Sequence, residues 1–325
     1  MRLASLLPAM LLALLAGAGW DARAQSDFPN KPIRLIVGFT AGGISDVLGR
    51  ALTARLSSNI GQQVVVENKP GAGTTIAGEF TARSAPDGYT LFLQDITTHA
   101  INASLYTKLP YDSVKDFTPI TLVASTPLML VVHPSTPANN VRELIAVLKA
   151  SPGKYSYGSS GNGTILHLTS ELFKSVAGLE ALHVPYKGSA PATQAILGKE
   201  VEFVFSTMPP AISHVKSGRL RALAVTTPAR VATAPEVPTM IEAGVPNFDI
   251  VLYSGVLGPA NMPAAVVRRL NAEFAKVVAS PEIREVYGRL GADPIQSTPE
   301  QFGARLLEDI AKFGPVVKSS GAKVD

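Results

Sequence analysis

Three stretches of this chain carry residue types that could do chemistry. Gly158-Ser159-Ser160-Gly161-Asn162 approaches the nucleophile elbow of serine hydrolases, a tight strand-to-helix turn that exposes a serine hydroxyl. Asn162 stands where the final glycine belongs, so the motif is incomplete. A hydrolase built on it would need Ser160, a histidine such as His167 or His183, and a carboxylate. Gly71-Ala72-Gly73 begins like a dinucleotide fingerprint, but the next glycine, Gly78, comes too late for the spacing that brings backbone against a pyrophosphate. A tight turn is its simpler use. The five histidines, His99, His133, His167, His183 and His214, are dispersed and none sits in a metal-ligand spacing. Neither catalytic residues nor a metal or cofactor is expected.

The third signal is spread over four junctions. Residues 40–43, 159–163, 188–189 and 206–207 are small, polar or glycine-rich, and each stands between a strand pattern and a helix pattern. In an open parallel sheet such carboxyl-terminal strand ends lie along one edge, where ligands bind. The first N–H groups of each helix lack internal partners and carry partial positive charge. Two of these loops could therefore hold a carboxylate without arginine. Gly and Ser at helix starts also serve as ordinary caps and turns. Asp46 also reads as an ordinary first-turn acid that favours the helix dipole, and Lys187 reads as solvated. The functional reading rests on several junctions meeting in one cleft.

The elements that would position them follow from periodicity. Residues 33–39 are apolar and β-branched, as in a buried strand. Ile44, Leu48, Leu52, Leu56 and Ile60 then recur four apart, one face of a helix that Gly61 ends. Strand patterns over 64–66 and 89–93 flank a helix over 74–84. Further strands are expected at 128–132, 155–158, 183–185, 201–205, 220–226 and 251–257. Helices alternate with them at 141–150, 164–176, 188–197 and 209–217, and three more close the chain at 264–279, 281–290 and 299–313. Alternation of this kind predicts parallel sheets covered by helices. The last helices bring no new sheet and are expected to fold back on the first. That gives residues 26–124 plus 253–325 as one domain and 125–252 as a second, inserted one.

The chain has 325 residues, no cysteine and a formal charge of +4 with both signs interspersed. Disulfides, thiol catalysis and a lipid-anchor cysteine are excluded. No basic tract is interleaved with aromatics, so no nucleic-acid partner is expected. Met1 and Arg2 precede an apolar run broken by Pro8, and Ala22-Arg23-Ala24 follows. These are the parts of a signal peptide over residues 1–24, cleaved after Ala24. The run barely reaches the ~20 residues of a membrane span.

Several ordered motifs resemble the Bug family, the periplasmic receptors of tripartite tricarboxylate transporters (TctC-like). They are Phe28-Pro29-Asn30-Lys31-Pro32-Ile33, Val37-Gly38-Phe39-Thr40-Ala41-Gly42-Gly43-Ile44-Ser45-Asp46, Val66-Glu67-Asn68-Lys69-Pro70-Gly71-Ala72-Gly73, Ala85-Pro86-Asp87-Gly88-Tyr89, Tyr157-Gly158-Ser159-Ser160-Gly161-Asn162-Gly163-Thr164, His183-Val184-Pro185-Tyr186-Lys187-Gly188 and Val237-Pro238-Thr239. The resemblance runs from Phe28 to the C-terminus. It implies a two-domain α/β, type II periplasmic-binding (Venus flytrap) fold with a mainly parallel sheet and flanking helices in each domain. It further implies that a small carboxylate is gripped by Phe39, Thr40, Ala41, Gly42, Gly43 and Asp46 from one domain. Ser159, Ser160, Gly161, Asn162, Thr164 and His167 would grip it from the other, often through bridging waters. A loop bearing Thr97, Thr98, His99 and Asn102, and the strand end at Ser206 and Thr207, would line the same cleft. Relatives often read Phe-Asp-Asn at that strand end; Phe205-Ser206-Thr207 loses the acid suited to an amino group, favouring a dicarboxylate or aromatic acid over an amino acid. The implied partners are the membrane permease subunits of such a transporter or, alternatively, a sensor kinase; a serine hydrolase is the remote third reading.

Overall fold

The structure, a computed structural model, describes residues 28–320 apart from residue 247, so the expected signal peptide lies outside the described residues. In chain order, β1 (Ile33–Val37) leads into α1 (Ile44–Ile60) and β2 (Val64–Asn68). A 3-10 turn at Ala72–Thr74 precedes α2 (Thr75–Ala82), β3 (Thr90–Asp95), α3 (Ile96–Leu105) and the long β4 (Phe117–Val132). Then come α4 (Val141–Ala150), β5 (Ser156–Ser159), α5 (Ile165–Ala177), β6 (Leu182–Pro185), α6 (Ser189–Leu197), β7 (Phe203–Thr207), α7 (Met208–Lys216) and β8 (Arg221–Val225). The chain returns through β9 (Val251–Pro259), α8 (Ala264–Ala279), α9 (Pro281–Leu290), β10 (Asp293–Pro294) and α10 (Pro299–Ser320).

The strands are ordered β2-β1-β3-β9-β4-β7-β5-β6, with β8 and β10 also paired to β4. The outer pairings, β1 with β2 and β3, and β5 with β6 and β7, are parallel, as the alternating pattern predicts. The middle strands β4 and β9 pair antiparallel with each other and with their neighbours, so the whole sheet is mixed. The first part of β4 pairs with β9 and the last part with β7 and β8. One strand thus ties a β1 side to a β5 side.

Helices cover both faces on each side, which is why the strands read as unbroken apolar runs. Ile33, Leu35 and Val37 pack in one buried cluster with Leu48, Leu52 and Leu56 of α1, whereas Ile36 points into another with Phe92, Ile96 and Phe302. On the β5 side Leu128, Leu130, Phe203 and Phe205 share the first cluster, and Met129, Val131 and Val204 enter a third with Ile196 and Met208. This is the period of two that a pleated strand imposes.

Three expectations change. Thr97, Thr98, His99 and Asn102, expected on a loop, lie in α3, because Asp95 accepts the Thr98 N–H and caps a helix in which all four are buried. The strand expected at 128–132 begins at Phe117; polar Thr118, Thr121, Ser125 and Thr126 mask its first half. The last helix continues past Phe313 through Pro315 to Ser320.

The β5–α5 loop meets α3 at Gly163. Its φ of 73° is left-handed, and an added Cβ would overlap Leu105 Cδ2. Gly178 has a similar φ of 62° with nothing within 4 Å of its absent Cβ. Gly178→Ala should therefore cost only the left-handed penalty of about 1–2 kcal/mol. Gly163→Ala should cost that plus an overpacking cost of about 1–3 kcal/mol. Denaturant melts read the difference, and equal losses would contradict the contact.

Candidate functional site

Between the two sides lies a cavity of about 190 Å³. Phe39, Gly73, Thr74 and Tyr106 line it from the β1 side, and Ser160, Gly161, Asn162, Tyr186 and Lys187 from the β5 side. Phe39 and Ser160 also border a second compartment of about 20 Å³, room for about one water. Its further walls include Gly43, Ser45 and Asp95 on one side and Leu166, Ser189 and Thr207 on the other. α1, α5 and α6 all begin beside these walls, capped by Gly43, Thr164 and Gly188. Their amino ends give the space a positive bias. Lys187 is the one charged residue lining the larger cavity.

The sides touch directly. Thr40 N–H donates to the Lys187 carbonyl at 3.2 Å, and Ile165 N–H to Thr98 Oγ1 at 3.1 Å. Gly188 makes the first contact possible: its φ is 148°, and a Cβ there would stand 2.7 Å from Thr40 Oγ1. The cleft is closed.

Each loop is held from behind. Asp46 is buried and accepts from Gly42 N–H at 3.0 Å, Arg50 Nε at 3.0 Å and Asn68 Nδ2 at 3.0 Å. Burial alone would raise its pKa, but these bonds outweigh it and hold the carboxyl below the usual range. Asp46 shapes the first loop and does not line either space. In the second loop Ser159 Oγ lies 2.6 Å from His183 Nε2, Thr164 Oγ1 donates to Gly161 O at 2.8 Å, and His167 Nδ1 accepts Gly163 N–H at 3.1 Å. His167 and His183 stack at 3.9 Å, with Tyr157 beyond. Burial pushes His167 down to about 4 and His183 to about 3, so both are neutral at pH 7 and His167 keeps the lone pair that Gly163 needs. At the third wall Ala72 and Thr74 hold left-handed φ values of 45° and 76°. Tyr106 OH donates to Ala72 O at 2.7 Å, Asn102 Nδ2 to Gly73 O at 2.9 Å and Gln94 Nε2 to Thr74 Oγ1 at 2.6 Å, fixing that strained turn.

Of the residues expected at the site, Phe39, Gly43, Ser160, Gly161, Asn162 and Thr207 line the two spaces. Thr40 bridges the cleft through its backbone, while Ala41 and Gly42 are exposed and line neither space. Ser159, Thr164 and His167 stand behind their loop. Thr97 donates to buried Asp309 at 3.2 Å, and Thr98 donates to Asp95. His99 lies off the cleft, stacked on Tyr111 with Phe117 edge-on. Ser206 also lies off it, bonded to Thr193 Oγ1 at 2.9 Å and Ser189 Oγ at 3.2 Å; an inference about ligand charge from that position has no contact to rest on. The hydrolase arrangement does not form: Ser160 Oγ donates to Thr164 Oγ1, and the serine beside His183 is Ser159, which is fully buried.

Sequence reasoning missed Asp95, Tyr106 and Lys187. Lys187 is exposed, as expected, yet it borders the cavity. Its signal was its place at the start of the 188–189 junction. Asp95 followed a strand and preceded Thr98 by three, the spacing of a helix cap.

Residues 48–322 match the model of the tripartite tricarboxylate transporter family receptor. Protein BugT of Bordetella pertussis is 36% identical over 97% of this chain and 98% of its own. An R. palustris protein solved with adipate superposes with a TM-score of 0.89 at 34% identity, over 92% of this chain and all of that one (100%). MatC from Rhodopseudomonas palustris, with bound malate, gives 0.86 at 28% identity, over 89% of this chain and 100% of that one.

Asp95 supplies a test of the buried geometry. Burial raises its carboxyl to about 7, against the hydrogen bonds from Thr98. Between about pH 4 and 7 the folded chain then holds a proton that the unfolded chain releases, so this residue's contribution falls as pH rises through that window. Asp95→Asn keeps the cap and removes the titration. Its stability relative to the unsubstituted chain should rise from near pH 4 to near pH 8 in thermal melts. A difference that does not change with pH would contradict a buried, raised Asp95.

Proposed function

The chain belongs to the tripartite tricarboxylate transporter receptor family and is a periplasmic solute-binding protein; within that family we propose that it captures a small organic carboxylate, a dicarboxylate or aromatic acid, between two lobes and delivers it to the transporter's membrane permease. One lobe is residues 26–124 plus 253–325 and the other 125–252, with β4 and β9 as the two crossings; export would be followed by cleavage after Ala24. The observation that carries this reading is the wall of the larger cavity. Small residues and helix amino ends from both lobes surround it, and Lys187 is the one charged group on it. A carboxylate gains hydrogen bonds there, whereas an ammonium group finds no acid.

Phe39–Gly43 and Ser159–Thr164 are the gripping loops. Asp46 and the His167–His183 stack act through them, as positioning residues. An anion bridging the loops favours the closed form because only there does it contact both lobes. The bound adipate and malate of the two R. palustris proteins support the ligand class by likeness.

Thermal-shift screening of di-, tri- and aromatic carboxylates beside amino acids tests the proposal. A bound acid at about 100 times its Kd should stabilise by about 2.7 kcal/mol. Shifts given by amino acids and by none of the acids would overturn it. Gly161→Leu, with its φ of 132° and Tyr186 O 3.3 Å from the added Cβ, should abolish the acid's shift in a chain that still melts cooperatively. An unchanged shift would remove that loop from the site.

A further inference from the structure

One face of α3 meets the β5 side. Thr98, Asn102 and Leu105 are spaced four and three apart on that helix, so they share the face. All three reach residues 163–165. The absent Cβ of Gly163 would overlap Leu105 and stand 3.3 Å from Asn102 Oδ1, and Ile165 N–H donates to Thr98 Oγ1 at 3.1 Å. Ile165 opens α5, so its N–H has no carbonyl within the helix to reach. Its acceptor comes from across the cleft. A hydroxyl holds one proton, and Thr98 gives its proton to Asp95 Oδ2, while Asp95 Oδ1 accepts the Thr98 N–H at 3.1 Å. The carboxyl thereby fixes the hydroxyl's orientation and leaves its lone pairs for Ile165.

We propose that Thr98 is a positioning residue for closure, a latch whose hydroxyl, oriented by Asp95, fastens α3 to the amino end of α5 and holds the cleft shut before a ligand arrives. The proposal rests on the two-lobe reading above, since a latch needs parts that separate. Neither Thr98 nor Ile165 lines the larger cavity, so the latch and a captured acid do not compete. The amino end of α5 carries partial positive charge, and a hydroxyl backed by a carboxylate accepts from it more strongly than a hydroxyl alone. The empty closed form is stabilised as a result. A ligand that needs this form then loses less affinity to the work of closing it. The other cross-cleft bond, Thr40 N–H to the Lys187 carbonyl, forms at a different loop and depends on the same approach. Thr40 is therefore an independent reporter of closure.

Amide exchange of the ligand-free protein, followed residue by residue by NMR at about pH 8, tests this; Asp95, with its pKa pushed up to about 7, is ionised there. The N–H groups of Ile165 and Thr40 should both be protected in the parent, although the acceptor of each lies across the cleft. Thr98→Val keeps the side-chain shape and removes the hydroxyl. Exchange at both amides should quicken by about ten-fold, the range of one hydrogen bond to a charge-backed partner. Leu168 N–H, which donates to Thr164 O inside α5, should not change. Thr98→Ser should restore the parent's protection at both. Asp95→Asn still caps α3, but its amide donates to Thr98 and turns the hydroxyl proton toward Ile165, so both amides should quicken again. Quickening at Ile165 alone would make the bond a local one and overturn the latch. So would a parent chain in which both amides exchange freely, or variants in which both stay protected. No ligand enters these measurements, so each of those outcomes leaves carboxylate capture standing.

Discussion

Thr40 N–H reaches the Lys187 carbonyl across the cleft at 3.2 Å, and the geometry of the site depends on that approach. Two backbones can come this close only where a side chain is missing, and Gly188 is that place: its absent Cβ would stand 2.7 Å from Thr40 Oγ1. The same condition recurs at Gly163 against Leu105. With the backbones in contact, the amino ends of α1, α5 and α6 face a common space. The protein then needs little side-chain charge to favour an anion. This explains why the residues that line the cavity are mostly small, and why the charged residues near it are occupied elsewhere. Asp46 is spent on Gly42, Arg50 and Asn68, and Asp95 on the cap of α3.

A site built from backbone must be held by what lies behind it. The neutral His167 ring accepts the Gly163 N–H, and Asn102, Gln94 and Tyr106 hold a turn whose Ala72 and Thr74 have left-handed backbones. Apart from Tyr106, which lines the larger cavity, the supporting side chains do not border it, yet they fix the groups that do. Their burial has an electrostatic consequence. Low-dielectric surroundings keep His167 and His183 uncharged behind the second loop and push Asp95 up to about 7, whereas Asp46 behind the first loop stays ionised through its bonds to Arg50, Gly42 and Asn68.

Much of this was legible in the residues. The Leu48–Leu52–Leu56 stripe and the glycine at 61 mark α1, and β-branched runs mark β1 and β2, because periodicity and caps are local. Both loops that wall the cavity were visible as Gly/Ser-rich junctions. What was hidden depends on neighbours far along the chain. Polar residues masked half of β4, whose antiparallel pairing with β9 joins residues more than a hundred apart. Helix α3 looked like a loop because its Thr97, His99 and Asn102 are satisfied by Asp309 of α10, by the Ser113 carbonyl and by the Gly73 carbonyl, none of them adjacent in sequence. Ser206 was read as a ligand contact for a similar reason. Its position at a strand end was right, but its hydroxyl turns into a buried cluster with Ser189 and Thr193. Lys187 was the reverse: solvent exposure suggested an idle charge, and only the closed cleft shows what it borders.

The central claim is that one acid is held at once by backbone from both sides. Hydrogen–deuterium exchange, with and without a saturating amount of the acid that gives the largest thermal shift, tests it most directly. The account predicts slower exchange over residues 40–46 and 159–167 together, saturating at the same acid concentration. Protection confined to one of these loops, or falling elsewhere with both unchanged, would contradict it.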